Sequence, residues 1–183
     1  NDEMIGGKLS LVSQWSDDVN IYASIGRGYK AGGFNLGTGF SNDRYADTLI
    51  YSPEYLWNYE LGINKQFGNS NTNLDAVIFY SDRKDQQVMA STQVDANDPN
   101  TFTFLTQNAA SGNNYGLELS VKSNPTDSLN LFASIGLLKT EVNYLDTSNA
   151  QNGRAQAHAP KRSFAIGMKW FPAESIYFGM DIN

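Results

Sequence analysis

Arginine, lysine and aromatic residues crowd one stretch of this chain. Arg27, Tyr29, Lys30, Phe34, Arg44, Tyr45, Tyr51 and Tyr55 all fall between Gly26 and Leu56. Cations interleaved with ring faces suit an anionic, aromatic small molecule. The same residues also suit plain loop packing and a membrane interface, where half-polar side chains collect, so both readings stand. Other chemistries find less support. Gly26-Arg27-Gly28 half matches a dinucleotide fingerprint, but that motif needs a helix after its glycines. Here Gly32-Gly33-Phe34 and an Asn/Gly-rich segment follow. Asp95, Asn97, Asp98 and Asn100 have the composition of a calcium loop without the Gly and distal Glu of an EF-hand. A polar surface loop accounts for them. His158 is the single histidine and cysteine is absent, so neither a transition-metal site nor a Ser/His/Asp arrangement is expected. The reading assigns no catalytic residue, no metal, no cofactor and no enzymatic activity.

Composition narrows the setting. The chain has 183 residues, 13% aromatics, 16 glycines and only 17% charged residues. Few charges with many Tyr and Phe suit strands with one apolar and one wet face. No run reaches the roughly 18 apolar residues that a membrane helix needs. A net charge of -6 argues against nucleic acid as a partner. The first residues lack a basic segment followed by an apolar one, so no signal peptide is read here.

The elements that must hold these residues are strands. Val19, Ile21, Ala23 and Ile25 alternate with Asn20, Tyr22, Ser24 and Gly26, which places the two sets on opposite faces. The same dyad recurs around Leu61, Leu117, Leu131 and Ile166, with further strands near Leu11 and Phe178. Around Ile78 it is blurred by Val77 and Phe79. About eight strands and no helix are expected. Short polar breaks at 17–18, 68–71, 124–128 and 172–175 alternate with long segments at 35–52, 90–100 and 143–157. Membrane barrels have short turns on one side and long loops on the other. Trp15, Phe67 and Trp170 lie just before short breaks, where an aromatic girdle belongs. Parity puts Asn58, Glu60, Arg83, Glu118 and Lys122 on the wet face, which in a barrel is the lumen.

Several strings, in order, resemble a known family. They are Gly28-Tyr29-Lys30-Ala31-Gly32-Gly33-Phe34-Asn35, Ser52-Pro53-Glu54, Asn58-Tyr59-Glu60-Leu61-Gly62, Gln86-Gln87-Val88, Asn108-Ala109-Ala110, Tyr115-Gly116-Leu117-Glu118-Leu119 and Ala159-Pro160-Lys161. Together they resemble the C-terminal half of the barrel in TonB-dependent outer-membrane receptors. The resemblance implies an all-β fold: residues 1–183 as about eight strands of a transmembrane antiparallel up-and-down barrel of about 22 strands. It implies residence in the outer membrane of a Gram-negative bacterium, in contact with its lipid. It further implies import of a scarce nutrient such as a ferric siderophore, energised by TonB through a plug domain that fills the lumen. The plug and the closing strands are expected outside this chain, which reads as a fragment. On this reading the cation-aromatic set would grip a ligand such as a catecholate siderophore. The alternatives are a small complete barrel acting as an adhesin or structural protein, an outer-membrane enzyme, and a soluble ligand-binding β-sandwich.

Overall fold

The computed structural model describes residues 4–35, 49–68, 71–93, 97–98, 100–145, 149–150 and 152–183. Eight strands form one antiparallel meander: β1 (Gly7–Ser16), β2 (Val19–Lys30), β5 (Glu54–Phe67), β6 (Thr72–Gln93), β7 (Phe102–Thr126), β8 (Leu129–Tyr144), β9 (Arg162–Ala173) and β10 (Ile176–Ile182), in that spatial order. Two short strands, β3 (Gly33–Phe34) and β4 (Ile50–Tyr51), pair separately inside the β2–β5 connection. Among the described residues the sheet does not close on itself, and β1 and β10 each have one paired neighbour.

The register converts the sequence dyad into rows. One row runs Leu11, Ala23, Leu61, Ile78, Leu117 and Leu137 across β1, β2, β5, β6, β7 and β8. The next outward row runs Ser13, Ile21, Ile63, Ala76, Leu119, Ile135 and Phe164. These side chains stand in the open, with Leu11 at 73% exposure and Phe164 at 62%. A single-layer sheet exposing a continuous aliphatic face needs lipid to cover it.

The opposite face is polar, and three rings on it lie over glycines. Tyr22, Phe79 and Phe132 pair directly across from Gly62, Gly116 and Gly167. Each ring lies over its glycine so closely that a Cβ there would collide with it. This resolves the blurred dyad of β6: Val77 and Phe79 sit on the polar face, and Phe79 covers Gly116. A ring over a cross-strand glycine shields backbone that has no side chain of its own.

The short connections at 17–18, 127–128 and 174–175 are two-residue turns. Asn71, at φ 43°, ends the fourth tight connection in the left-handed region that Asn tolerates. Short and long connections fall on opposite ends of the sheet. The connection expected at 90–100 is shorter than the sequence suggested, because β6 runs to Gln93 and β7 starts at Phe102. The residues beyond Tyr80 and before Tyr115 pair with each other and carry the hairpin about 40 Å further along the strand direction.

Candidate functional site

Two edges bound the apolar face. Along β5, Trp57 stacks on Tyr59, which tilts against Tyr80 of β6. Tyr59, Tyr80 and Tyr115 share one row, and Lys139 reaches over the Tyr115 ring at 5.4 Å. At the other end lie Trp15, Phe67 with Lys65 over its ring at 4.9 Å, and Trp170 stacked on Phe178. From Trp57 to Phe67 the strand rises roughly 33 Å, or about 23 Å along the barrel axis for a strand tilted by about 45°. That matches the apolar band of about 25 Å in outer-membrane barrels. Both edges drift the same way across the register. Trp170 lies one outward position below the Phe67 row, as Tyr115 lies one below the Trp57 row. A band of constant height crosses tilted strands in this manner.

The polar face carries a hydrogen-bonded network. Asn58 donates to Glu60 Oε1 at 2.7 Å and accepts from Ser81 Oγ at 2.6 Å. Ser24 Oγ donates to Glu60 Oε2 at 3.1 Å, and Lys8 Nζ lies 3.5 Å from the same oxygen. Asn64 donates to Asp75 at 2.6 Å. Glu118 lies beside Asp75, Ser120, Ser134 and Ser163 along a groove of about 310 Å³. Lys122 pairs with Asn73 and Phe132 on this face. Arg83 reaches Glu54 at 3.3 Å.

Above the band the β6–β7 ladder continues, and side chains fasten the β2–β5 connection to it. Asn35 Nδ2 donates to the Thr106 carbonyl at 2.8 Å, and its Oδ1 accepts the Thr106 amide at 2.9 Å. Asn108 does the same for Ser52, accepting its amide at 2.6 Å and donating to its carbonyl at 2.8 Å. It also donates to the Asp85 carbonyl at 2.7 Å. Gln87 Nε2 donates to the carbonyls of Ala31 and Ser52, and the Gln87 amide donates to Glu54 at 2.9 Å. Asp85 sits at φ 54°, where a bulge interrupts the β6–β7 register. Each amide side chain replaces a strand edge, so the β3–β4 segment is latched to β6 and β7. Here alone apolar side chains are closed off among the described residues: Leu105 is 3% exposed and Ala110 2%.

The ligand-facing set from the sequence is divided by this geometry. Arg27, Tyr29 and Tyr55 continue the outward rows of Ile25 and Tyr59, so they stand on the outer wall rather than facing the lumen. The physical reason is parity, since Arg27 follows Ile25 by two residues in an unbroken register. Lys30 pairs with Glu54 on the polar side. Phe34 and Tyr51 belong to the β3–β4 pair, with the Tyr51 ring over Gly33. Arg44 and Tyr45 lie outside the described residues, as does Asp95. Sequence reasoning missed Asn35, Gln87 and Asn108 as a unit, although each lies in one of the family-like strings.

A single-layer antiparallel wall with an aliphatic outer band, aromatic edges and a polar inner face defines a transmembrane β-barrel segment. The chain belongs to the TonB-dependent receptor-like β-barrel family, whose model matches residues 5–180. It is 32% identical over 88 residues to the pesticin receptor of Yersinia enterocolitica, covering 48% of this chain and 12% of that protein. It is 23% identical over 156 residues to a probable TonB-dependent siderophore receptor, PiuA, of Acinetobacter baumannii, covering 85% and 19%. In structure it resembles the ferric yersiniabactin uptake receptor FyuA of Yersinia pestis, with a TM-score of 0.68 at 19% identity, covering 95% of this chain and 24% of FyuA. The chain thus spans only about an eighth of the first of these relatives. Its place is the outer membrane of a Gram-negative bacterium.

Proposed function

We propose that this chain is wall from an outer-membrane receptor that imports a scarce nutrient, most simply a ferric siderophore or related iron chelate. The observation that carries this reading is the polar inner face, with the hydrogen-bonded set at Asn58 and Glu60 and the groove beside Glu118 backing an apolar outer face. A wall that is wet inside and tall outside suits a vestibule for a bulky polar ligand. PiuA is called a siderophore receptor and FyuA a ferric yersiniabactin receptor, which supports an iron chelate as the cargo. Of the ligand-facing candidates, Lys30, Phe34 and Tyr51 remain, with Arg44 and Tyr45 proposed on sequence alone. The open edges of β1 and β10 would be covered by further strands, since unpaired backbone is not tolerated in lipid. The lumen would hold a plug that meets Asn58, Glu60, Arg83, Glu118 and Lys122 and passes the pull of TonB. A small closed barrel fits less well, because among the described residues the eight-stranded sheet stays open.

The test is uptake by the full-length receptor. A deletion strain given radiolabelled ferric siderophores should lose uptake of at least one and regain it with the intact gene. Unchanged uptake of every chelate, with a defect for cobalamin or an oligosaccharide instead, would keep the importer and discard the iron cargo.

A further inference from the structure

Arg27 is an unusual residue for an outer wall. Its guanidinium carbon lies 4.3 Å from the centre of the Tyr55 ring and 5.8 Å from that of Trp57. Nη1 donates to the Ile5 carbonyl at 3.3 Å, while Nε is buried without a partner. The group therefore lies over the Tyr55 ring and near Trp57 at the upper edge of the band, and among the described residues it is in no ion pair. It has company. Lys139 on β8 and Arg162 on β9 share its outward parity, and each follows the downward drift of that edge. Lys84 stands there too, 3.6 Å from Asp82. Among the described residues, four cations thus face outward at this edge against two carboxylates, Asp82 and Glu141. The chain as a whole carries -6, so this edge runs against the average. At the opposite edge Lys65 is the one outward-facing strand cation among the described residues.

We propose that this edge binds the phosphate groups of lipid in the leaflet facing the outside, with Arg27 as its fixed anchor and Lys139 and Arg162 as further contacts. Arg27 lies in the Trp57 row and Lys139 in the Tyr115 row, at the aromatic edge of the band, with Arg162 one outward position further along the drift of that edge. A planar guanidinium offers paired donors to phosphate oxygens, and stacking on Tyr55 fixes the direction in which they point. Lysine and arginine stems lying over aromatic rings keep their alkyl parts in the band and their charges at its rim. The inference rests on the membrane orientation of the proposed receptor, with the long connections outside, but not on its cargo.

Full-length receptor in mild detergent, titrated with diphosphorylated lipid A and followed by native mass spectrometry, tests this. Each cation near a charged lipid surface contributes about a fivefold change in affinity. Arg27→Gln should weaken binding about fivefold, Arg27→Gln with Arg162→Gln more, and Arg27→Lys less. The same lipid stripped of its phosphates should bind the native receptor and the variants alike, and inorganic phosphate should not compete at millimolar concentration. Heat-modifiable migration checks folding. If Arg27→Gln fails to fold, Lys139→Gln with Arg162→Gln carries the test from exposed positions. Native affinity in a folded multiple variant, or equal binding of the dephosphorylated lipid, overturns the proposal. Nutrient uptake should be unchanged by Arg27→Gln. A selective loss of uptake with lipid binding intact would return Arg27 to the nutrient site and also overturn it. Failure of every nutrient in the uptake assay would leave the lipid result standing.

Discussion

The membrane band and the sheet above it are made of the same strands, yet different forces hold them. In the band there is no second layer. Backbone ladders join neighbouring strands, and the apolar rows from Leu11 to Leu137 rely on lipid for burial. Above the band, β6 and β7 run on beyond their neighbours and the β3–β4 segment is fixed to them by Asn35, Gln87 and Asn108. There Leu105 and Ala110 are buried by protein. The contrast teaches that solvent decides the construction. In lipid a wall can be one residue thick, because every backbone group is paired in the ladder and apolar side chains need no protein partner. In water the same strands must find cover, and polar side chains supply the missing edges.

The sharpest way to break this contrast is a charge in the band. Leu61→Arg on the outer face should cost about 2–4 kcal/mol near the midplane, read by denaturant unfolding of the full-length receptor in bilayers. Asn64→Arg, three residues along on the wet face, should cost far less, and equal costs would mean the two faces are misassigned. Next in size, Gly116→Val should destabilise by about 1–3 kcal/mol through overpacking, because its side chain would meet Phe79 and the Leu137 carbonyl. Pairing it with Phe79→Ala should recover part of that loss. Asn108→Ala tests the upper region. It removes the bond to the solvent-exposed Ser52 amide and one of the two to the Ser52 carbonyl, which keeps Gln87, a local cost of about 0.5–1.5 kcal/mol. Hydrogen exchange should quicken at Ser52 while protection in the Leu61 and Ile78 region stays as it was. The smallest effect belongs to Lys8→Ala. Its ion pair with Glu60 is open to solvent, so the change should fall within roughly 0–1 kcal/mol.

Much of the band was legible in advance because its rule is periodic. Alternation fixed which residues share a face, and tight polar breaks fixed where strands turn. The same rule, applied further, would have moved Arg27 and Tyr29 to the outer wall, since they extend the series Val19, Ile21, Ala23, Ile25. Attention to their chemistry drew them toward the ligand instead. Val77 and Phe79 defied the pattern for a reason that needs the register, because only pairing reveals Gly116 opposite Phe79. The upper region was hidden for a different cause. Side-chain amides that bond backbone many residues away, as Asn35 does with Thr106, leave no period in the sequence. Their strings were visible as family-like fragments, but not the contact that unites them.

Cysteine scanning of the full-length receptor in intact outer membranes tests the wall most directly, and this stretch of chain has no native cysteine to interfere. Leu61→Cys, Ile78→Cys and Leu117→Cys should resist a membrane-impermeant maleimide and, once spin-labelled, respond to oxygen dissolved in lipid. Asn58→Cys and Ser120→Cys should respond to water-soluble relaxants instead. Reversal of the two patterns, or aqueous exposure of both sets, would contradict the account.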